Sequence, residues 1–167
     1  MHSAGGSADD AVVAGWHAET KLVHVGSEPD ASTGAVVPPI SLATTFAQDG
    51  IGALKGKGNP NSYGRGFDYS RSGNPTRGAL ERSIAAAEAG AVAAIAFSSG
   101  LAAVHAVISL LSTGDEVLCI DDVCGGSQRL FRRVAVPSAG IRFRFMSMLN
   151  VGAVRATLAP SADEKNQ

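Results

Sequence analysis

The stretch that decides the fold is "AVAAIAFSSGLAAVHAVISLLSTG" (residues 91–114), which is followed by "DEVLCIDD" (residues 115–122). A short apolar run leads into two serines and a glycine, a longer apolar stretch follows, and a second short apolar run ends in two aspartates. Strands that alternate with helices are typical of βαβ units and of a largely parallel sheet. The sequence therefore predicts strands in residues 91–99 and 115–122, with a helix from Gly100 that ends at Gly114.

The same alternation continues towards the C-terminus. The segment "GGSQRLFRRVAVPSAG" (residues 125–140) predicts a helix that is stopped by Pro137 and Gly140. The segment "IRFRFMSM" (residues 141–148) alternates as a strand does, and "NVGAVRATLAP" predicts a last helix with Asn150 as its N-cap. The fold class is therefore α/β.

Another helix precedes the first of these strands. Apolar residues recur at helical spacing at Leu80, Ile84 and Ala87. This spacing predicts a helix over residues 77–89, with Thr76 as N-cap and Gly90 just beyond its C-terminus.

The N-terminal half has a different composition. Residues 1–14 have the composition of a disordered tail. Residues 15–76 are predicted to form an arm and a loop region, because Pro38-Pro39 imposes an extended course and residues 49–66 are rich in glycine and polar residues. Residues 77–167 form the α/β part.

Composition excludes several classes of function. The net charge of −1 does not favour a nucleic-acid partner, and no apolar run reaches the ~20 residues of a transmembrane helix. The two cysteines, Cys119 and Cys124, are spaced for neither a zinc site nor a CxxC redox pair. Reduced cysteines are typical of the cytoplasm.

Two stretches have the chemistry of an anion site. In "FDYSRSGNPTR" (residues 67–77), Arg71 and Arg77 can grip a phosphate or carboxylate and Tyr69 can donate a hydrogen bond. The alternative is a surface turn with solvated arginines. In "FSSGLAA" (residues 97–103), a strand runs into a helix start, where free N–H groups form a phosphate cradle; the alternative is an ordinary serine cap.

A third stretch, "CIDDVCGG", places Asp121 and Asp122 at a strand end. Without a third ligand nearby, two carboxylates do not make a metal site. We therefore expect no bound metal. At this stage a phosphate-binding α/β module of another kind remains open.

These motifs occur together and in one order. The stretches "HVGSEPDASTGAVVPPISLATTF", "YSRSGNPTR", "SSGLAA" and "DDVCGGSQRLFRRV" resemble the Cys/Met-metabolism family of pyridoxal 5′-phosphate (PLP) enzymes, most closely those of cystathionine γ-lyase type. The resemblance runs from about Ala18 to Glu164. It implies PLP as cofactor and the N-terminal part of an aspartate-aminotransferase-like large domain (PLP fold type I), incomplete in this chain. It also implies a homo-oligomer, a tetramer built from tight dimers.

The resemblance also implies roles for individual residues. Ser99, Gly100 and Leu101 would bind the cofactor phosphate, Gly100 and Leu101 through their backbone N–H groups. Tyr69 and Arg71 would reach that phosphate from the neighbouring subunit, so that a complete site needs two chains. Cys124 stands where the family usually has a tyrosine that stacks on the cofactor ring.

No catalytic residue is assigned. The family's cofactor-linking lysine lies in a Ser-x-Thr-Lys motif downstream, whereas the four lysines here occupy polar or loop contexts; they are Lys21, Lys55, Lys57 and Lys165. The chain is accordingly expected to be an N-terminal fragment or truncated product.

The resemblance implies cleavage of cystathionine, a small amino-acid substrate, to cysteine, 2-oxobutyrate and ammonia. Two alternatives stay open. One is an inactive partner that assembles with a full-length subunit. The other is a related reaction, that of cystathionine γ-synthase, cystathionine β-lyase or methionine γ-lyase.

Overall fold

The computed structural model describes residues 13–30 and 32–159. The chain divides into two compact units between Ala96 and Phe97. Apart from residues 13 and 14, the tail predicted for residues 1–14 lies outside the described residues. In the described ranges, no helix is both long enough and apolar enough to cross a membrane.

The first unit is built from short elements joined by loops. They are α1 (Ala18–His24), β1 (Gln48–Gly50), β2 (Ala53–Leu54), a 3-10 turn (Pro60–Ser62) and α2 (Pro75–Ala87). The strands β1 and β2 form an antiparallel hairpin, and α1 packs against α2. The hairpin and the 3-10 turn fall largely within the loop predicted for residues 49–66. The hairpin can form there because Gly52, with a φ of 72°, permits a tight reversal of the chain between the two strands.

The helix α2 begins earlier than predicted, and Thr76 is not its N-cap. Asn74 is the N-cap: its side-chain oxygen accepts hydrogen bonds from the backbone N–H groups of Thr76 and Arg77, at 2.9 and 3.0 Å. Pro75 takes the first helical position, where its fixed φ fits and its missing N–H costs nothing. The Thr76 hydroxyl instead donates to the carbonyl of Pro39 at 2.8 Å.

The second unit confirms the α/β class. Its elements are α3 (Gly100–Ile108), β3 (Glu116–Ile120), α4 (Gly125–Leu130), a π-helical turn (Phe131–Ala135), α5 (Val136–Ala139), β4 (Arg142–Met146) and α6 (Val151–Leu158). The strands β3 and β4 pair in parallel, from Glu116 opposite Arg142 to Ile120 opposite Met146. Asn150 caps α6 as predicted, with its side chain accepting from the Ala153 N–H at 3.0 Å.

An apolar core holds the second unit together. Its buried members are Ile108, Phe131, Ala135 and Ile141. The rings of Phe131 and Phe143 stack at 4.5 Å between centroids, so the helical segment packs directly on β4. Burial of large apolar side chains is the main stabilising term here.

Residues 91–99 do not form the predicted strand. A strand needs a backbone partner to form its hydrogen-bond ladder, and this segment pairs with no other described strand. Val92 and Ile95 are accordingly 96% and 75% exposed.

Three helix ends also differ from the prediction, and the first is that of α2, which ends at Ala87 and not at residue 89. The helix α3 ends at Ile108 and not at Gly114. There the Ser109 hydroxyl bonds back to the His105 carbonyl at 2.8 Å, a contact that competes with helix continuation. Further on, the helical path passes through Pro137 and ends at Gly140, which has a φ of 66°. The π turn just before Pro137 accommodates the missing N–H donor.

Candidate functional site

The loop that carries Tyr69 and Arg71 is ordered from its N-terminal side by Asp68. The Asp68 carboxylate accepts the Ser72 hydroxyl at 2.9 Å and the Tyr69 N–H at 2.7 Å. These two hydrogen bonds, the one from Ser72 first, hold the pKa of Asp68 below its usual value. The backbone N–H of Ser70 donates to the Thr44 carbonyl at 2.8 Å, which ties the loop to the extended arm before β1.

Tyr69 and Arg71 lie together at the surface of the first unit. The guanidinium carbon of Arg71 is 5.0 Å from the centroid of the Tyr69 ring, a cation–π contact. Both side chains are exposed. Within the described part of the chain, the Arg71 guanidinium pairs with no carboxylate, so its planar donors are available to an oxyanion.

Arg77 is not free to bind an anion. Its guanidinium donates to the backbone carbonyls of Ser70 and Arg71 and pairs with the Glu81 carboxylate. It also lines a cavity of about 200 Å³. The cavity is further lined by Leu54, Asn61, Ser62, Tyr63, Arg65, Gly66, Asp68, Ser72, Gly73, Asn74, Gly78 and Glu81.

The start of α3 combines a capping serine with open backbone donors. The Ser99 hydroxyl accepts from the Ala102 N–H at 3.1 Å, so Ser99 is a genuine N-cap. The N–H groups of Gly100 and Leu101 donate to no described residue. A Cβ built on Gly100 would meet nothing within 4 Å, which leaves room for a ligand against the backbone. Two free donors at the positive end of a helix suit a phosphate.

The carboxyl end of β3 carries Asp121, Asp122 and Cys124. All three are exposed, and Cys124 occupies the N-cap position of α4 without a side-chain capping bond. Cys119, by contrast, packs against the core of the second unit, and burial raises the pKa of its thiol. In residues 13–30 and 32–159, no three side chains of the metal-ligating kinds lie close enough to hold an ion.

The three described lysines occupy exposed or partly exposed positions. Lys55 pairs with Asp49 at 2.9 Å, and both side chains are more than half exposed. Lys57 is exposed and Lys21 is partly exposed, while Lys165 lies outside the described residues. A Schiff-base lysine needs a desolvated or electropositive pocket, and none of the three described lysines has one.

Sequence reasoning missed the contacts that order the loop around Arg71. The Asn74-Pro75 pair was a usable signal, because a cap residue followed by proline is typical of a helix start. The Arg77 contact with two carbonyls had no local signal in the sequence, since it depends on how the loop folds back onto α2.

A family model described as "Cys/Met metabolism PLP-dependent enzyme" matches residues 19–164. The chain belongs to this family. The match covers most of the sequence and includes all four motifs on which the resemblance rested. Members of the family are PLP-dependent enzymes.

Curated relatives within the family support this placement. Cystathionine γ-lyase of Homo sapiens is 44% identical over 145 residues, which are 86% of this chain and 33% of that protein. Cystathionine β-lyase of Coxiella burnetii (strain RSA 493 / Nine Mile phase I) is 43% identical, over 83% of this chain and 33% of its own length. The chain therefore spans about a third of the length of the curated relatives it matches.

Solved structures in the family match the fold. The metB structure from Corynebacterium glutamicum has a TM-score of 0.77 and 34% identity, over 88% of this chain and 36% of its own. The cystathionine γ-lyase from Lactobacillus plantarum, complexed with L-serine, has a TM-score of 0.73 and 40% identity, over 87% of this chain and 35% of its own. The family and fold predicted from the sequence are confirmed.

Proposed function

We propose that this chain supplies the phosphate-binding part of a PLP-dependent carbon–sulfur lyase that acts on cystathionine. The observation that carries the proposal is the start of α3, where Gly100 and Leu101 present N–H groups without a described acceptor and Gly100 leaves open space. Phosphate is the part of PLP that such a site fits. The sequence relationship to cystathionine γ-lyases supports the choice of reaction.

Each residue of the proposed site has a defined task. The N–H groups of Gly100 and Leu101 would donate to the phosphate, while Ser99 holds the first turn of α3 in place through its bond to Ala102. The hydroxyl of Tyr69 and the guanidinium of Arg71 would add donors and positive charge. When bound, PLP supplies an electron sink for the chemistry of an amino-acid substrate.

The site is proposed to form between two copies of the chain. Tyr69 and Arg71 lie exposed in the first unit, whereas Ser99, Gly100 and Leu101 belong to the second. We propose that Tyr69 and Arg71 serve the phosphate site of a neighbouring subunit in a homo-oligomer, as the resemblance implies. Sedimentation of the chain with and without PLP tests this: PLP should shift it to a larger species, and an unchanged monomer would contradict the proposal.

Cys124 is proposed to face the cofactor ring. A thiol has no aromatic face, and such a contact contributes about 0.5–1.5 kcal/mol beyond its buried area. The substitution Cys124→Tyr should therefore tighten PLP binding by up to about tenfold, whereas Cys119→Ser, in the core, should not tighten it. Equal effects of the two substitutions would place Cys124 away from the ring.

A complementation assay tests the proposed reaction. A full-length cystathionine γ-lyase is prepared with its matching tyrosine and arginine replaced, so that it lacks the groups offered by a neighbour. Adding this chain should restore production of 2-oxobutyrate from cystathionine, and the chain with Arg71→Gln should not. If mixed oligomers form without any gain in 2-oxobutyrate, the proposed reaction is wrong.

A non-catalytic assembly partner is the second candidate. Its support is that none of the three described lysines lies in a pocket that could activate it, although the Tyr69–Arg71 pair is exposed. In this case the chain should enter oligomers of an intact lyase and lower its activity per subunit.

A related reaction is the remaining alternative. In the complementation assay, pyruvate in place of 2-oxobutyrate would indicate a β-lyase.

We further propose a cytoplasmic location. Cys119 and Cys124 are both free thiols, as expected for a reducing compartment. Fractionation of cells that express the tagged chain tests this, with recovery in the membrane or secreted fraction as the contradicting result.

A further inference from the structure

The backbone on both sides of Arg71 is held by the side chain of Arg77. One terminal nitrogen of the Arg77 guanidinium donates to the Ser70 carbonyl at 2.7 Å, and the other donates to the Arg71 carbonyl at 3.2 Å. Its Nε lies 3.4 Å from Glu81 Oε1. Two donors of one planar group therefore hold two carbonyls while its third nitrogen forms an ion pair with a carboxylate, an arrangement that suits the fork of arginine.

Glu81 fixes the orientation of that guanidinium. The two residues stand four apart on α2, so their side chains meet on one face of the helix. Glu81 Oε1 also accepts the backbone N–H of Ala96 at 3.0 Å, and the Glu81 side chain is only 12% exposed. A carboxylate held from two directions is a rigid anchor for the arginine.

These contacts constrain the backbone of Arg71 and therefore the direction in which its side chain leaves the chain. The Ser70 carbonyl belongs to the peptide plane before Arg71, and the Arg71 carbonyl belongs to the plane after it. Two fixed planes define φ and ψ of the residue between them. Since the Arg71 guanidinium also lies over the Tyr69 ring, fixing Arg71 constrains Tyr69 as well.

We propose that Arg77, oriented by Glu81, is the positioning residue of the anion site formed by Tyr69 and Arg71. This inference rests on the proposed function, because it takes the cofactor phosphate as the ligand of that pair. Arg77 itself touches no phosphate in this scheme. Its contribution is to reduce the conformational freedom that Arg71 would otherwise lose on binding.

Two substitutions of Arg77 separate the effect of its hydrogen-bond geometry from that of its charge. A substitution of Arg65 is the control. Arg77→Lys keeps the positive charge but removes the fork, whereas Arg77→Gln removes both. Arg65 lines the same cavity and is exposed, and its side chain makes no hydrogen bond or ion pair to any described residue. Arg65→Gln therefore removes one charge from this region without touching the loop contacts.

The readouts are backbone exchange and the preference for a phosphorylated ligand. In both Arg77 variants, amide hydrogen exchange over residues 68–73 should accelerate by about tenfold, as expected from losing one or two charge-assisted hydrogen bonds. The ratio of PLP affinity to pyridoxal affinity should fall by about tenfold as well. Arg65→Gln should change neither quantity, and the exchange of α1 should confirm that all variants remain folded.

The proposal is overturned if both Arg77 variants keep wild-type exchange over residues 68–73. It is also overturned if the loop loosens while the ratio of PLP to pyridoxal affinity stays constant. If the wild-type chain does not prefer PLP to pyridoxal, the proposed function fails. In that event the exchange measurement still decides whether Arg77 anchors Arg71.

Discussion

The two units of the molecule are stabilised by different means. The second unit has an aromatic core, in which Phe131 is 6% exposed and stacks on Phe143. The first unit buries the smaller apolar set of Val25, Phe67 and Ala79, and polar side chains add bonds to backbone groups in its loops. Asn61, 8% exposed, donates to the Gly26 carbonyl and accepts from Arg82, which also pairs with Glu28.

The difference has a functional consequence. Apolar burial is non-directional and tolerates small changes of angle, whereas hydrogen bonds to backbone groups fix particular peptide planes. The first unit carries the exposed Tyr69–Arg71 pair, whose backbone is held by hydrogen bonds from Arg77. The second unit presents backbone donors at the start of α3, which the helix itself orients.

The largest expected effect is in the aromatic core. Replacing Phe131 with alanine should cost about 3–5 kcal/mol in the free energy of unfolding, because it removes the stacked ring and leaves a cavity. Denaturation followed by circular dichroism measures the loss, and hydrogen exchange should localise it to β3 and β4. The control is Leu149→Ala, at a residue that is 95% exposed, and it should change little. Equal losses in both variants would refute the assigned core.

A smaller effect is expected at the close contact between α2 and the 3-10 turn. A Cβ on Gly78 would lie 2.0 Å from the Asn61 carbonyl oxygen, so Gly78→Ala should cost about 1–3 kcal/mol despite the better helix propensity of alanine. The same substitution at Gly126, where a Cβ meets nothing within 4 Å, should be neutral or stabilise by up to about 1 kcal/mol. Thermal melts of the two variants test this, and a stabilised Gly78→Ala would contradict the contact.

The smallest effect is expected at the Glu28–Arg82 ion pair, whose nitrogen–oxygen distance is 2.7 Å. Partial burial raises the pKa of Glu28, but the hydrogen bond and charge of Arg82 outweigh it and leave the pKa lowered. The pKa of Glu28 is lower in the folded protein than in the unfolded chain. The ion pair therefore stabilises the folded state at pH values above the unfolded pKa of about 4.3, and this contribution is lost as the pH falls through the folded pKa.

At pH 7, Glu28→Gln should cost about 0.2–1 kcal/mol, in line with exposed pairs. At pH 3 the difference from wild type should be smaller. Urea denaturation at the two pH values measures both quantities. The control is the same substitution at the exposed Glu88, which forms no ion pair with a described residue, and it should cost little at pH 7. A loss that grows towards low pH would contradict the sign of the Glu28 shift.

The sequence predicted the second unit better than the first. Apolar periodicity located β3 and β4, whose partly buried apolar side chains pack against the core, and it also located α6. Periodicity wrongly predicted a strand at residues 91–99. A strand also requires a backbone partner, which an apolar run does not supply.

In the first unit the decisive contacts connect residues that are distant in sequence or offset by a turn. Thr76 and Asn74 are both acceptable caps by residue type, and only the position of Pro75 in the helix decides between them. The family motifs nevertheless identified the family correctly, which the match over residues 19–164 confirms.

The most direct test of the proposed phosphate site is a titration of the isotope-labelled chain with PLP, followed at the amides of Gly100 and Leu101. We predict that these two amides shift, that pyridoxal binds at least about tenfold more weakly, and that excess inorganic phosphate competes with PLP for the site. The control ligand, pyridoxal, keeps the ring and aldehyde but lacks the group that the start of α3 is proposed to hold. Equal affinities for PLP and pyridoxal, with Gly100 and Leu101 unshifted, would contradict the account.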